Sequence, residues 1–117
     1  MTDVLFVHNN FPAQFGFIAS RLQHMGHRCM AIGSESARPI EGVEVAQWKT
    51  ARGSTNGILP AAVRIEADLI RGAAAADAAL ALKAKGFSPG LIIGHLGWGE
   101  TTYLREIFPA ARQIAYA

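Results

Sequence analysis

Val4-Leu5-Phe6-Val7 is apolar without interruption, the pattern of a strand buried on both faces of a parallel sheet. His8-Asn9-Asn10-Phe11-Pro12 then supplies turn chemistry. Phe15, Ile18, Leu22 and Met25 recur at steps of three and four. That spacing predicts an amphipathic helix with these four residues on its buried side, stopped at Gly26. Residues 28–32 read as a second strand, and the polar stretch 33–41, which contains Pro39, reads as a loop. Residues 43–48 alternate apolar and polar, the signature of a third strand at a sheet edge. Residues 49–57, with Ser54, Thr55, Asn56 and two glycines, read as a surface loop.

The longest periodic segment follows. Ile58, Ala62, Ile65, Leu69, Ala73, Ala76, Leu80, Ala84 and Phe87 are spaced by threes and fours, close to the ~3.6 residues of a helical turn. This predicts one long helix with that stripe buried, Pro60 in its first turn and Gly86 at its end. Arg64, Asp68 and Arg71 share another face. Gly72 inside a helix costs about 1 kcal/mol relative to alanine. Gly72 therefore marks a place where another backbone packs closely or the helix bends, or, with the alanines after it, an ordinary small-residue face on the sheet, which is the favoured reading. Ser88-Pro89-Gly90 turns the chain into a fourth apolar run, Leu91-Ile92-Ile93, which meets His95-Leu96-Gly97-Trp98-Gly99-Glu100. Glu100 reads as the carboxylate that opens a short helix, with Leu104, Ile107 and Phe108 on its apolar face and Pro109 at its end. Residues 112–116 read as a fifth strand.

The element order β-α-β-β-α-β-α-β defines an α/β domain. The expected architecture is a three-layer α-β-α, Rossmann-like domain, with a five-stranded parallel sheet in the order 3-2-1-4-5 and right-handed crossovers. That order sets the first strand beside the fourth, with connections leaving in opposite directions. Ligands bind at such switch points, outside the carboxyl ends of the strands. The 8–15 loop and the 95–100 turn should therefore share one rim.

The chain's 117 residues suit one domain. Half are hydrophobic and only 17% are charged, which suggests apolar surface reserved for a partner domain or for a dimer contact, although the many alanines also raise the apolar share. The 11 basic residues are scattered among 9 acidic ones, without the basic stripe that nucleic-acid binding needs. The single cysteine, Cys29, makes no internal disulfide and reads as a small buried hydrophobe in a reducing compartment. The N-terminus lacks a signal-peptide pattern, and no apolar run approaches the ~20 residues of a membrane span. A cytoplasmic address, free or peripheral to the inner membrane face, is the expectation.

Candidate chemistry concentrates in the two loops. His95 ends a buried strand and could act as an acid/base or bind a hydroxyl, or else hydrogen-bond within the rim. Gly97 and Gly99 permit close backbone approach, and free N–H groups at the following helix start would suit an anion or sugar hydroxyls; the alternative is a tight turn without a ligand. Trp98 could stack on a sugar ring or lie as a lid over the core. His8 could stand near His95. Phe11 and Phe15 could be core residues or ligand contacts. The first turn lacks the Gly-x-Gly-x-x-Gly of dinucleotide sites. No HExxH or CxxC spacing supports a metal, and no nucleophile elbow is present.

These residues also resemble a known family. His8-Asn9-Asn10-Phe11-Pro12-Ala13-Gln14-Phe15, the 66–72 stretch ending in Arg71-Gly72, Gly86-Phe87-Ser88-Pro89 and His95-Leu96-Gly97-Trp98-Gly99-Glu100 are similar, in the same order, to the N-terminal domain of family 4 glycosyltransferases. Leu96 stands where a proline is usual, and Gly90 where an aspartate commonly follows the proline. The resemblance implies the GT-B architecture, two Rossmann-like domains facing a cleft. The N-terminal domain mainly binds the acceptor, and the C-terminal domain binds the nucleotide-sugar. The chain then reads as the first domain only, residues 1–117, inactive alone. By resemblance, His95 is the catalytic residue, facing the donor sugar. His8, Asn10, Phe11, Gln14, Phe15, Gly97, Trp98, Gly99 and Glu100 border the acceptor, with Trp98 and Glu100 shaping the rim. The implied partners are a nucleotide-sugar donor, held by the absent domain, and a glycan or glycolipid acceptor that receives a hexose. No metal and no cofactor are implied. The competing readings are a stand-alone α/β module that binds a small ligand without catalysis, and a hydrolase using His95 and Glu100.

Overall fold

The computed structural model describes residues 2–116. Five strands, β1 (Val4–Val7), β2 (Cys29–Gly33), β3 (Glu44–Gln47), β4 (Leu91–His95) and β5 (Arg112–Tyr116), form one sheet in the order β3-β2-β1-β4-β5. Every neighbouring pair is parallel. The helices are α1 (Gly16–His24), α2 (Pro60–Ala84) and α3 (Leu104–Ile107), with 3-10 turns at Ala13–Phe15 and Leu96–Trp98. The domain is thus the expected Rossmann-like α/β fold, with the expected strand order.

The central strand explains the layering. All four residues of β1 are buried, and successive side chains point to opposite faces. Leu5 and Val7 join Ala75, Ala79 and Leu82 of α2 and Leu104 and Ile107 of α3 in one cluster. Val4 and Phe6 join Phe11, Phe15 and Ala19 in the other, so α1 covers the second face. No helix among the described residues is long and apolar enough to cross a membrane.

The long helix α2 turns a different face inward from the one its spacing predicts, and the first helix does so in part. Around α1, Phe15 is buried and Leu22 packs on the core as expected, but Ile18 and Met25 are exposed and Ala19 is buried beside Phe15. In α2 the buried face is Gly72, Ala75, Ala79 and Leu82, while Ile65, Leu69 and Leu80 are 62%, 44% and 51% exposed. The period is right and the phase is not. Small residues let a helix axis approach the sheet closely, and the resulting dense contact outweighs burial of bulkier side chains.

At Gly72 another backbone packs closely, in place of the favoured plain small-residue face. A Cβ there would lie 2.8 Å from the Gly99 carbonyl oxygen. Gly72 therefore admits the turn after β4, while Ala75 and Ala79 provide the face toward the sheet.

Candidate functional site

The carboxyl ends of β1 and β4 lie side by side, with Val7 paired to Gly94. Each strand runs into a histidine, and the His8 and His95 rings come together, their centroids 4.9 Å apart. The two rings are held alike. His8 Nδ1 accepts the Asn10 backbone N–H at 2.9 Å, and His95 Nδ1 accepts the Gly97 N–H at 3.0 Å. An Nδ1 that accepts fixes the neutral ring as the Nε2–H tautomer. The His95 ring then keeps its Nε2–H, while the His8 ring also has the Gln14 side chain as a hydrogen-bond partner.

Their surroundings differ. His8 is buried, with the Phe15 ring edge-on at 5.8 Å. Burial, then the nearby His95, lower its pKa from the usual value, against an upward pull from the Gln14 side chain. Phe11 and Phe15 lie in the core against Phe6, with centroids 6.0 Å and 5.7 Å from its ring. They anchor the loop from inside, and of the two Phe15 also meets His8. Tyr116, at the end of β5 and paired in register with His95, places its ring 5.9 Å from Phe15 and extends the rim. Asn10 is exposed, its Oδ1 accepting the Ser36 hydroxyl.

The 95–100 turn is held by α2. Arg64 donates to the Gly97 carbonyl at 2.7 Å and Arg71 to the Trp98 carbonyl at 2.8 Å. Asp68 lies between and accepts from both guanidiniums. Gly99 has a φ of 82°, and a Cβ on it would lie 2.3 Å from the Asp68 carbonyl oxygen. Trp98 stacks on His95 at 6.4 Å between centroids, and the Arg71 guanidinium lies 5.8 Å from its ring. The indole covers His95 and remains 38% exposed.

Two expectations change here. The Gly97 N–H is spent on His95 Nδ1 and is not free for an anion, while the carbonyls of the turn face arginines. Glu100 is not a rim carboxylate at a helix start. It is fully buried, three turn residues precede α3, and its Oε2 accepts the Trp48 indole N–H at 2.6 Å. Burial pushes its pKa up to about 7, against downward pulls from the Trp48 indole, Arg71 and the Asn9 backbone N–H. Among the described residues, no group of three or more His, Cys, Asp or Glu side chains is arranged to hold a metal.

Sequence reasoning left out Trp48, Arg64, Arg71 and Tyr116 as parts of the site. The shared face of Arg64, Asp68 and Arg71 was a usable signal, since charges at steps of four and three on a helix beside a glycine turn have carbonyls within reach. A tryptophan at the end of an edge strand needs a partner for its N–H once buried, but nothing local points to Glu100.

A family model described as the glycosyl transferase family 4 group matches residues 25–117. The chain belongs to that family. The match spans α2, β4 and the 95–100 turn, so the region carrying His95 lies within the glycosyltransferase signature, whereas residues 8–15 precede it. No curated protein matches the chain. A glycosyltransferase-type function follows from the family.

Proposed function

We propose that this domain is the acceptor side of a two-domain, nucleotide-sugar-dependent GT-B glycosyltransferase that moves a hexose to a glycan or lipid-linked acceptor. The observation that carries the reading is the convergence of His8 and His95 at the switch point of a family 4 glycosyltransferase sheet, each with Nδ1 engaged by a backbone N–H. In this reading the second domain holds the nucleotide-sugar across the cleft, and the isolated domain transfers nothing. His95, half-buried and fixed by β4, gives its Nε2–H to a hydroxyl of the donor sugar. His8 and Gln14 border the acceptor, with Asn10 at the outer edge and Trp98 keeping water off His95.

A preorganised donor of this kind contributes ~10²–10³ in rate when its hydrogen bond strengthens in the transition state. The test is His95→Ala in the two-domain glycosyltransferase. Turnover should fall by about that factor with the fold intact. Near-normal kcat with a depressed Tm would assign His95 to local structure instead.

A further inference from the structure

Glu100 lies beneath the 95–100 turn, where three other parts of the chain meet. The Trp48 indole reaches its Oε2 from the end of β3. The Asn9 backbone N–H reaches the carboxyl from the end of β1, and Arg71 is the charged group that acts on it from α2. Arg71 is already committed to Asp68 and to the Trp98 carbonyl. Oε1 of Glu100 has no hydrogen-bond partner among the described residues, and neither has the buried Oδ1 of Asn9.

If Glu100 is ionised, both orphans are acceptors and neither can satisfy the other. A proton on Oε1 turns one of them into a donor, and a single hydrogen bond then satisfies both.

We propose that Glu100 is a positioning residue: as a carboxylic acid it donates its Oε1 proton to Asn9 Oδ1, keeps the Trp48 hydrogen bond on Oε2, and so clamps the 8–15 loop to the 95–100 turn. The clamp holds the loop of His8 and the turn of His95 as one body. Loss of the proton removes the only donor between the two orphans and loosens the junction beneath the paired rings. Burial of the carboxyl, which raises its pKa to about 7, keeps the acid form populated near neutral pH. The clamp does not depend on which ligand the crevice takes.

The test is an NMR titration through neutral pH of the 117-residue protein, following the Glu100 carboxyl carbon, the Asn9 side-chain amide and the His8 and His95 rings. The carboxyl should titrate near neutrality, with the Asn9 amide reporting the same midpoint. Asn9→Ala removes the acceptor and should move that midpoint down. Glu100→Gln keeps a donor and an acceptor in place, so it should abolish the shared transition and preserve the ring-to-ring contacts of His8 and His95. The proposal is overturned by a Glu100 midpoint in the ordinary carboxylate range, by a midpoint unmoved in Asn9→Ala, or by separated rings in Glu100→Gln. Should Asn9→Ala not fold, the carboxyl titration of the unaltered protein decides. None of these readouts involves sugar transfer, so failure of the clamp and failure of the acceptor reading are separable.

Discussion

After β1 and after β4 the chain begins in the same way. A buried strand runs into a histidine, whose Nδ1 takes the amide hydrogen of the second residue on, Asn10 or Gly97. Beyond that the two loops part. The first is anchored from within, by Phe11 and Phe15 packed on Phe6, and its His8 is nearly sealed. The second is anchored by polar groups, with Arg64 and Arg71 on its carbonyls and Glu100 beneath it on Trp48. Apolar anchoring holds the first loop by packing. Polar anchoring leaves a more exposed histidine on a turn whose position depends on protonation and hydrogen bonds.

The largest expected effect tests how closely the second loop is built against α2. Gly99→Val forces a side chain into a φ of 82° and toward the Asp68 carbonyl 2.3 Å from its Cβ. Chemical denaturation should show a loss of more than about 4 kcal/mol. By contrast Gly16→Ala, at the start of α1 just after the first loop, meets only ordinary contact with Pro12.

The histidines should separate function from stability. In the proposed two-domain glycosyltransferase, His95→Ala should cost ~10²–10³ in kcat, or about 3–4 kcal/mol of barrier, with little change in Tm. His8→Ala should do the reverse, lowering stability by about 2 kcal/mol through the cavity left beside Phe15. Kinetics and melting on both variants break the comparison if the two patterns are exchanged.

The loops should also respond oppositely to pH. Glu100 has a folded pKa raised from 4.5 to about 7, so the folded state holds its proton longer than the unfolded chain. Its contribution is fully present below pH 4.5 and falls away as pH rises toward 7, by about 3 kcal/mol in all. His8 has a folded pKa lowered from 6.5, so stability is lost as pH falls below 6.5 and the imidazole is forced to charge. Denaturation against pH in Glu100→Gln should remove the loss on the alkaline side and leave the His8 loss on the acid side.

The smallest effects are matters of sign. Gly72→Ala ought to gain about 1 kcal/mol from helix propensity. Contact with the Gly99 carbonyl at 2.8 Å should instead make it destabilising by about 1–3 kcal/mol. Gly16→Ala, with a φ of −55° and room for its Cβ, should stabilise by about 0.4–1 kcal/mol. Thermal melts of the two variants settle both signs.

The topology was legible because each strand is an apolar run bounded by turn residues, and the order of elements leaves few ways to wind them. The crevice was legible for the same reason, since the strand order alone brings His8 and His95 to one rim. Helix phase was not. Spacing gives the period, but in a helix as rich in alanine as α2 several faces satisfy it, and the winner depends on how closely the sheet can be approached. Glu100 was misplaced because a carboxylate reads as exposed unless its partner is known, and Trp48 lies 52 residues away in sequence. The Gly97 N–H looked free because a glycine turn says nothing about the ring nitrogen two residues before it.

The central claim, that this glycosyltransferase domain serves the acceptor and not the donor, is tested most directly by calorimetric titration of the protein with common nucleotide-sugars. The account predicts weak or undetectable binding, with the His8 and His95 ring resonances unmoved. Submicromolar binding with shifts at those rings would contradict it, because the donor site would then lie in this domain.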